Sequence, residues 1–278
     1  MTKLVGLVLV YNQIDYIDEL FQGISHLDGL NIIISDDCSS DGSYERLCEL
    51  TKDTTNIILS QNKRNLGLAH HFYDKISSMD ADYVLPCAGD DIYYPYSVDL
   101  VRKILDEFPG RSFYDFDNTE FSDFKDINIR LSNKDIPVTC VTREVGLNDF
   151  FKKNIGFSGC SRVYSVRSMK KFGAFNLNTP TEDKTSLLRC LLDTNGLKIY
   201  TPLIFYRIHE NSLTVSGSFN ISKRLDILIQ HFADLRSTNL TSAVKQGVMV
   251  RLCLVFARNV LADARIKVIK RVRNVFNS

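Results

Sequence analysis

Apolar runs and amphipathic segments alternate along the first hundred residues. Leu4–Val10 is a continuous apolar run, which predicts a strand buried on both faces. Tyr16–Ser25 follows with apolar residues at helical spacing, and Asp15 is its predicted N-cap. This alternation predicts βαβ units and a mostly parallel sheet flanked by helices, an α/β fold. The other elements predicted here are strands at Asn31–Ser35, Asn56–Ser60 and Tyr83–Pro86, and helices from Asp41 through Leu50, at Leu68–Ser78 and at Ser97–Phe108.

The pattern changes after Pro109. Arg111–Leu131 mixes aromatic with acidic residues at no clear helical period, and we predict no element there. From Ser222 to the end the period is helical throughout. We therefore predict an α/β domain over residues 1–216 and a helical C-terminal extension over residues 217–278. Between them we predict helices at Glu144–Lys153, Arg167–Phe172 and Glu182–Asp193, a strand at Arg162–Val166, and strand-like pieces within Leu197–Tyr206 that are broken at Pro202.

The composition is that of an ordinary globular protein. Apolar residues make up 44% and charged residues 24%, which excludes collagen-like and disordered chains. The net charge of +1 indicates no global attraction to nucleic acid, and we expect no nucleic-acid partner. The seven cysteines lack the CxxC spacing of zinc sites, so we expect reduced thiols in a cytoplasmic protein. We expect neither a signal peptide nor a membrane-spanning helix, since the latter needs about 18 apolar residues.

Polar residues concentrate directly after the predicted strands. Two pairs of adjacent acids stand at such places, Asp36-Asp37 and Asp90-Asp91. Open α/β sheets bind ligands at the carboxyl ends of their strands, so both pairs are expected to face one crevice. Carboxylates in a strand-end turn suit Mg²⁺ or Mn²⁺, which also bind substrate phosphates. One such pair alone is typical of a solvated surface turn, but two at matching strand ends favour a site.

Several enzyme classes are disfavoured by missing motifs. The chain has neither a GxGxxG nor a GxxxxGK[ST] loop, which argues against dinucleotide enzymes and P-loop NTPases. It also lacks the HExxH and GxSxG motifs of zinc proteases and α/β-hydrolases.

Six short motifs between residues 4 and 214 resemble the glycosyltransferases of family 2. These are inverting, nucleotide-sugar-dependent enzymes with the GT-A fold. Each motif is weak alone, but the six occur in the order of the family. They are Val10-Tyr11-Asn12, Ser35 to Gly42, Asn65 to Ala69, Gly89-Asp90-Asp91 with Pro95, Glu182-Asp183, and Tyr206 to His209 followed by Ser212 and Thr214.

The resemblance implies roles for the acidic residues. It places Asp183 as the general base, with Glu182 as the alternative, at the start of a helix whose dipole also favours acids there. It places Asp90 and Asp91 at the metal motif, with Asp91 the stronger candidate for coordinating Mn²⁺ or Mg²⁺. Ala88 stands where the usual motif has its first acid, which leaves the number of protein ligands open.

The resemblance also implies a nucleotide-sugar site. Asp36 or Asp37 would contact a uracil-type base, and Tyr11 would pack near it. Further candidates for binding the nucleotide sugar are Arg64, Asn65, Asp90 and Arg207. Arg207 suits a phosphate because its guanidinium pairs bidentately, and His209 is a candidate for the metal or the pyrophosphate. The chain has no Trp, so it lacks the Gln-x-x-Arg-Trp element of processive synthases, which favours transfer of a single sugar.

The last 34 residues are strongly basic. Residues 245–278 hold eight Lys or Arg and one acid, a net charge of +7, so the rest of the chain carries −6. Apolar residues lie three to four positions apart between these cations, as in helices that bind membrane surfaces. Packing of this segment on the body or on another subunit is an equal alternative.

We therefore expect an inverting glycosyltransferase that moves one sugar from a nucleoside-diphosphate sugar, UDP-sugar favoured, to an acceptor. The expected acceptor is a glycan or lipid-linked glycan in cell-surface polysaccharide biosynthesis, with the enzyme in the cytoplasm or at the cytoplasmic face of the membrane. Two alternatives remain open. One is a non-catalytic GT-A protein that binds a nucleotide sugar or a partner, and the other is a nucleotidyltransferase.

Overall fold

A computed structural model describes residues 2–25, 27–128, 135, 137, 140–152, 155–176, 178–210 and 221–276, with the backbone alone from residue 263 onward. The helices in this part of the chain are α1 (Ile17–Ile24), α2 (Ser43–Thr51), α3 (Leu68–Ser78), α4 (Ser97–Glu107), α5 (Lys125–Asn128), α6 (Val166–Lys170), α7 (Asp183–Asp193), α8 (Ile221–Arg236) and α9 (Ser242–Phe276). The strands are β1 (Leu4–Val10), β2 (Asn31–Asp36), β3 (Ile57–Gln61), β4 (Tyr83–Ala88), β5 (Ile92–Tyr93), β6 (Phe113–Phe121), β7 (Thr142–Val145), β8 (Arg162–Ser165) and β9 (Gly196–Arg207).

The strands of the described residues form one sheet in the order β3-β2-β1-β4-β8-β6-β9-β5, with β7 also paired to β9. The strands β1 to β4, β6 and β9 run in one direction, while β5, β7 and β8 are antiparallel to their neighbours. The α/β class with a mostly parallel sheet is therefore confirmed. The parallel half puts the ends of β1, β2 and β4 at one edge.

The core lies on both faces of this sheet, because β1 is buried along its whole length. On one face Val8 and Val10 pack with residues of α1, α2 and α4. On the other face Leu7 and Leu9 pack with residues of α3, α6 and α7. Each face of a strand takes alternate side chains, so an unbroken apolar run is what a doubly covered strand requires.

Three local predictions are wrong. The helix predicted at Glu144–Lys153 is instead the end of β7 and a 3-10 turn at Leu147–Phe151. β9 continues through Pro202 and absorbs the proline where its register with β6 shifts. Asp15 does not cap α1, because it lies inside a 3-10 turn at Ile14–Tyr16 that precedes the helix.

The chain divides into two compact units. The first consists of Met1–Phe175 and Thr181–Gly217, and the second of Asn176–Pro180 and Ser218–Ser278. Within the second unit α8 and α9 pack on each other, and Gln230 of α8 accepts a hydrogen bond from the Thr179 hydroxyl. Among the described helices, none combines the length and the apolar character that crossing a bilayer requires.

Candidate active site

The loops after β1, β2 and β4 start from one shared edge of the sheet. The amide of Asp37 donates to the carbonyl of Val10 at 2.8 Å, and the amide of Gly89 donates to the carbonyl of Leu9 at 2.9 Å. Gly89 is confined there, since a Cβ on it would lie 2.4 Å from the side-chain oxygen of Gln13. Adjacent parallel strands thus bring the two acid pairs to one edge, as the sequence predicted.

The loop after β2 is held by side chains of its own and of the β1 loop. Asp36 is fully buried and accepts from the amide of Ser39 at 2.9 Å. Asn12, at φ 51°, accepts from the amide of Ser40 at 2.9 Å. Tyr11 beside it is 47% exposed, so its ring is available for stacking. This crevice has the rigid backbone and the free aromatic face that a nucleoside site needs.

The Asp37 carboxylate accepts several hydrogen bonds from the loop after β3. Its carboxylate accepts from the side chain of Asn62 at 2.7 Å and from the amides of Leu66 and Gly67, each at 2.9 Å. The predicted binding residues Arg64 and Asn65 are exposed on this same loop. Asp37 therefore fixes the segment that presents them.

The ends of β4 and β9 form the second half of the site. His209 contacts the Asp90 carboxylate through Nε2 at 2.8 Å, and both side chains are partly exposed. Arg207 is almost fully buried: its guanidinium donates to the Asp90 carbonyl at 2.8 Å and also binds the carboxylate of Glu19. It is sandwiched between aromatic rings, with its Cζ 4.7 Å from the Tyr16 centroid and 4.4 Å from that of Phe121.

These contacts make Arg207 the support of the Asp90 loop, whereas the sequence predicted it as a phosphate ligand. Ser212 and Thr214, which complete the motif after His209, lie outside the described residues.

Asp91 is desolvated. It is 1% exposed, and its Oδ1 accepts from the amide of Arg207 at 2.9 Å. Its Oδ2 is buried and has no hydrogen-bond partner. Burial, and secondarily the charge of Asp90, raise the pKa of Asp91 well above its usual range.

A divalent metal is implied by the fold family, and the donor set supports one. Asp90 and His209 offer a carboxylate oxygen and an imidazole nitrogen side by side, and Asp91 adds a buried oxygen without a partner. In the described part of the chain, no group of three or more His, Cys, Asp or Glu side chains is arranged as a complete metal site. The residues thus fit an ion held by two protein ligands and by substrate phosphates, with Asp90 and His209 better exposed for this than Asp91.

The second acid pair lies at the start of α7. Asp183 is half-buried and touches Gly159, where a Cβ would lie 2.6 Å from its Oδ2. Glu182 has a buried Oε2 with no hydrogen-bond partner. Burial, then the charge of Asp183, raise the pKa of Glu182 well above its usual range. Both residues are partly buried, and the raised pKa of Glu182 favours its protonated form.

Cys160 is a part-buried thiol on the loop before β8. Burial raises the pKa of its thiol to about 12, and the charges of Asp91 and Asp183 add to that effect. Gly159 beside it lies against the Asp183 carboxylate, so this loop borders the base motif.

A group of buried charges that the sequence pattern did not predict lies beneath this site. Asp115, Arg162 and Lys198 lie on β6, β8 and β9 and are at most 2% exposed. Arg162 and Lys198 stand inside otherwise apolar predicted strands, which could have indicated buried charges. Their partner Asp115 was not recognised, because no strand was predicted around it.

Comparison with known proteins assigns the chain to a family. Residues 7–172 match the family model described as glycosyl transferase family 2, which is more than half of the chain. The chain belongs to glycosyl transferase family 2. This glycosyltransferase contains within the matched region Asp36, Asp37, Asp90 and Asp91, while Asp183 and His209 follow it. Among curated proteins, no sequence matches it.

Solved structures share the fold of this family 2 glycosyltransferase. TarS 1–349 of S. aureus, in complex with UDP-GlcNAc, superposes with a TM-score of 0.69 at 15% identity, over 90% of this chain and 71% of that one. A second structure, described as TarS of S. aureus, is covered over 43% of its chain. The mannosyltransferase PcManGT of Pyrobaculum calidifontis, in complex with GDP-Man and Mn²⁺, gives a TM-score of 0.56 at 15% identity, over 95% of this chain and 75% of that one. The likeness confirms the predicted GT-A fold.

Proposed function

We propose that this chain is an inverting glycosyltransferase that moves one sugar from a nucleoside-diphosphate sugar to a hydroxyl group of a glycan acceptor. The observation that carries the proposal is that the acid pairs after β2 and β4 meet at one edge of the sheet, in a chain of family 2. The retained acid at Asp183 favours catalysis over the non-catalytic alternative.

Asp183 is the general base. Its carboxylate takes the proton of the acceptor hydroxyl while that oxygen attacks the anomeric carbon of the donor sugar. The bond from the anomeric carbon to the diphosphate breaks on the opposite face, so the configuration inverts and the nucleoside diphosphate leaves. The raised pKa of Glu182 favours its protonated form, which leaves Asp183 as the proposed acceptor of the proton.

Asp90 and His209 are the proposed protein ligands of Mn²⁺ or Mg²⁺. Such an ion supplies charge stabilisation for the departing diphosphate. Arg207 holds the Asp90 carbonyl from below, and the amide of Arg207 holds Asp91. One residue therefore orients both members of the acid pair.

A UDP-sugar is the favoured donor. Tyr11, Arg64 and Asn65 are exposed after β1 and β3, where a uracil base and ribose would bind, and the buried Asp36 holds the loop after β2. TarS 1–349 has been crystallised with UDP-GlcNAc and PcManGT with GDP-Man, so base and sugar both differ between these two proteins of the fold.

Calorimetry with UDP-, GDP- and dTDP-sugars, each with and without Mn²⁺, tests this function. We expect one nucleotide class to bind, more tightly with the ion. Absence of binding for all three classes under both conditions would contradict the proposal.

The acceptor side is proposed to lie at an anionic membrane surface, with a lipid-linked glycan as acceptor. The support comes from α9. Val250, Leu254 and Leu261 are 59–70% exposed and lie on one side of this helix, four and seven residues apart. Arg251, directly after Val250, and Arg258 are exposed on the same helix.

Charge decides between a membrane and a second copy as the partner of this stripe. The segment from residue 245 carries +7, with Asp263 its one acid. A second α9 would set arginine against arginine, whereas anionic lipid compensates each cation by about 1 kcal/mol. An anionic surface is therefore the better-matched partner.

A further inference from the structure

A buried cluster of opposite charges lies beneath the proposed base. Arg162 donates through Nε to Asp115 at 2.8 Å, and Lys198 reaches the other oxygen of Asp115 at 2.9 Å. Lys198 also pairs with Asp117 at 2.6 Å. Arg162, Asp115 and Lys198 come from three neighbouring strands, so the cluster ties β6, β8 and β9 together.

The cluster does not end in the sheet, because it reaches the loop before β8. Arg162 donates to the carbonyl of Ser158 at 2.7 Å, and the amide of Ser158 donates to Asp115 at 3.1 Å. Asn118 of β6 donates to the Ser158 hydroxyl at 3.2 Å and to the Cys160 sulfur at 3.0 Å. Both the main chain and the side chains of Ser158–Cys160 are thus fixed from below.

Arg162 also reaches Asp183 directly. Its Nη1 donates to the Asp183 carbonyl at 3.3 Å and to the Tyr164 hydroxyl at 2.9 Å. The Asp183 carboxylate in turn lies against Gly159, with no room for a Cβ. The Arg162 guanidinium therefore fixes both the main chain of Asp183 and the Ser158–Cys160 loop. The Asp183 carboxylate lies between these two fixed segments.

Stability alone is a weak reason for such a cluster. Removing two or three charges from water costs several kcal/mol each, and replacing a buried ion pair by apolar side chains is often neutral or stabilising. A planar fork with five donors, however, fixes geometry in a way that apolar packing does not.

We propose that Arg162 is a positioning residue for transfer, which with Asp115, Lys198 and Gly159 holds the Asp183 carboxylate at the attack site. This inference rests on the proposed role of Asp183 as base. Arg162 acts through Asp183, since it is 2% exposed and lies below the loop.

The first test compares Arg162→Met with Arg162→Lys in the full chain. The readouts are UDP affinity by calorimetry and the rate of UDP release from UDP-GlcNAc, or from another donor that the nucleotide-sugar screen identifies. In Arg162→Met we expect kcat to fall at least tenfold with UDP affinity within twofold.

In Arg162→Lys the charge remains but the fork is lost, so kcat should recover in part at unchanged UDP affinity. A folded Arg162→Met with normal kcat overturns the inference. Asp183→Asn, measured alongside, separates the two claims. If Asp183→Asn is fully active, the proposed function fails, and if it is inactive while Arg162→Met is normal, only the positioning role fails.

Gly159→Ala is a second variant that leaves the buried charges in place. Its added Cβ would meet Asp183 Oδ2 at 2.6 Å and should displace the carboxylate, lowering kcat at least tenfold at unchanged UDP affinity. Gly247→Ala is the matched control, because a Cβ there meets no atom within 4 Å. A Gly159→Ala enzyme that behaves like Gly247→Ala contradicts the inference, even if both Arg162 variants fail to fold.

Discussion

At the residue scale, adjacent acids in this protein differ sharply in environment. Asp91 and the Glu182 carboxyl are desolvated, while their neighbours Asp90 and Asp183 are partly exposed. Consecutive residues in a turn point in different directions, so one member of each pair faces the core. The exposed member is then free for metal or proton chemistry, and the buried member shapes the field around it.

Glu182 gives a stability prediction with a definite sign. The folded chain keeps a proton on Glu182 at pH values where the unfolded chain, with a usual pKa of 4.5, has lost it. The folded state is therefore favoured by this group below about pH 4.5 and loses that advantage as the pH rises toward the raised pKa. Glu182→Gln removes this pH-dependent loss of stability, because glutamine does not titrate.

We expect Glu182→Gln and the parent chain to match in free energy of unfolding near pH 4. The variant should become progressively more stable than the parent from pH 5 to pH 8. Urea unfolding at several pH values measures this difference. A difference that does not change with pH would show that burial of Glu182 is not linked to its protonation.

Asp90 gives a prediction about the metal. Asp90→Asn keeps the size of the side chain but removes its charge, so Mn²⁺ should lose its main carboxylate ligand. We expect the enhancement of UDP affinity by Mn²⁺ to fall at least tenfold, while the weaker affinity measured in EDTA stays the same. If Mn²⁺ enhances UDP affinity equally in the variant and the parent, Asp90 is not the main ligand. Asp91, the stronger candidate from the sequence, would then be the residue to test.

At the element scale, Asp37 joins the end of β2 to the start of α3. Asp37→Ala would leave the Leu66 amide and the Asn62 side chain without this acceptor, and the Gly67 amide with the Asn65 side-chain oxygen alone. We expect a loss of about 2–4 kcal/mol in the free energy of unfolding, since several part-buried donors lose a charged partner together. Urea unfolding measures it, with the exposed Asp53→Ala as control. A loss no larger than that of the control would contradict the structural role.

The elements that the sequence predicted best are those whose pattern is set by burial alone. β1 and α3 have the predicted bounds, because an unbroken apolar run and a clean helical period each fit one structure. β6 escaped prediction since its alternation of aromatic and acidic residues reflects a buried charge cluster rather than a solvated face. β9 was divided at Pro202, although a register shift accommodates the proline.

The residues of the site also differ in how far the sequence could predict them. Strand ends and acid pairs could be located from the sequence, because parallel strands bring their carboxyl ends together. The contacts of Asp37 with Leu66, of Arg207 with Asp90 and of Arg162 with Asp115 could not, since each joins residues far apart in the chain. The sequence predicted the residue types of the site, and the fold decided which of them are accessible.

At the scale of the whole molecule, the basic C-terminal segment predicts salt-sensitive attachment to membranes. Vesicles containing phosphatidylserine should co-sediment with the full chain at low salt, and less so as salt screens the surface charges. Replacing Val250, Leu254 and Leu261 together by Gln should abolish sedimentation without unfolding, because all three side chains are exposed.

Val244→Gln is the control for that experiment, as Val244 is 43% exposed on a different side of the same helix. If the triple variant sediments like the parent, the apolar stripe does not bind the vesicle. Should it instead convert a dimer to a monomer in analytical ultracentrifugation, the stripe is an interface between two copies.

The proposed reaction depends most directly on Asp183 as the base of sugar transfer. The decisive measurement is the single-turnover rate of Asp183→Asn against the parent, with the donor affinity measured on the same samples. We predict a rate lower by about 10²–10⁴, the usual contribution of a general base, at unchanged donor affinity. A variant that transfers sugar at the parental rate would contradict the account and make Glu182 the next residue to test.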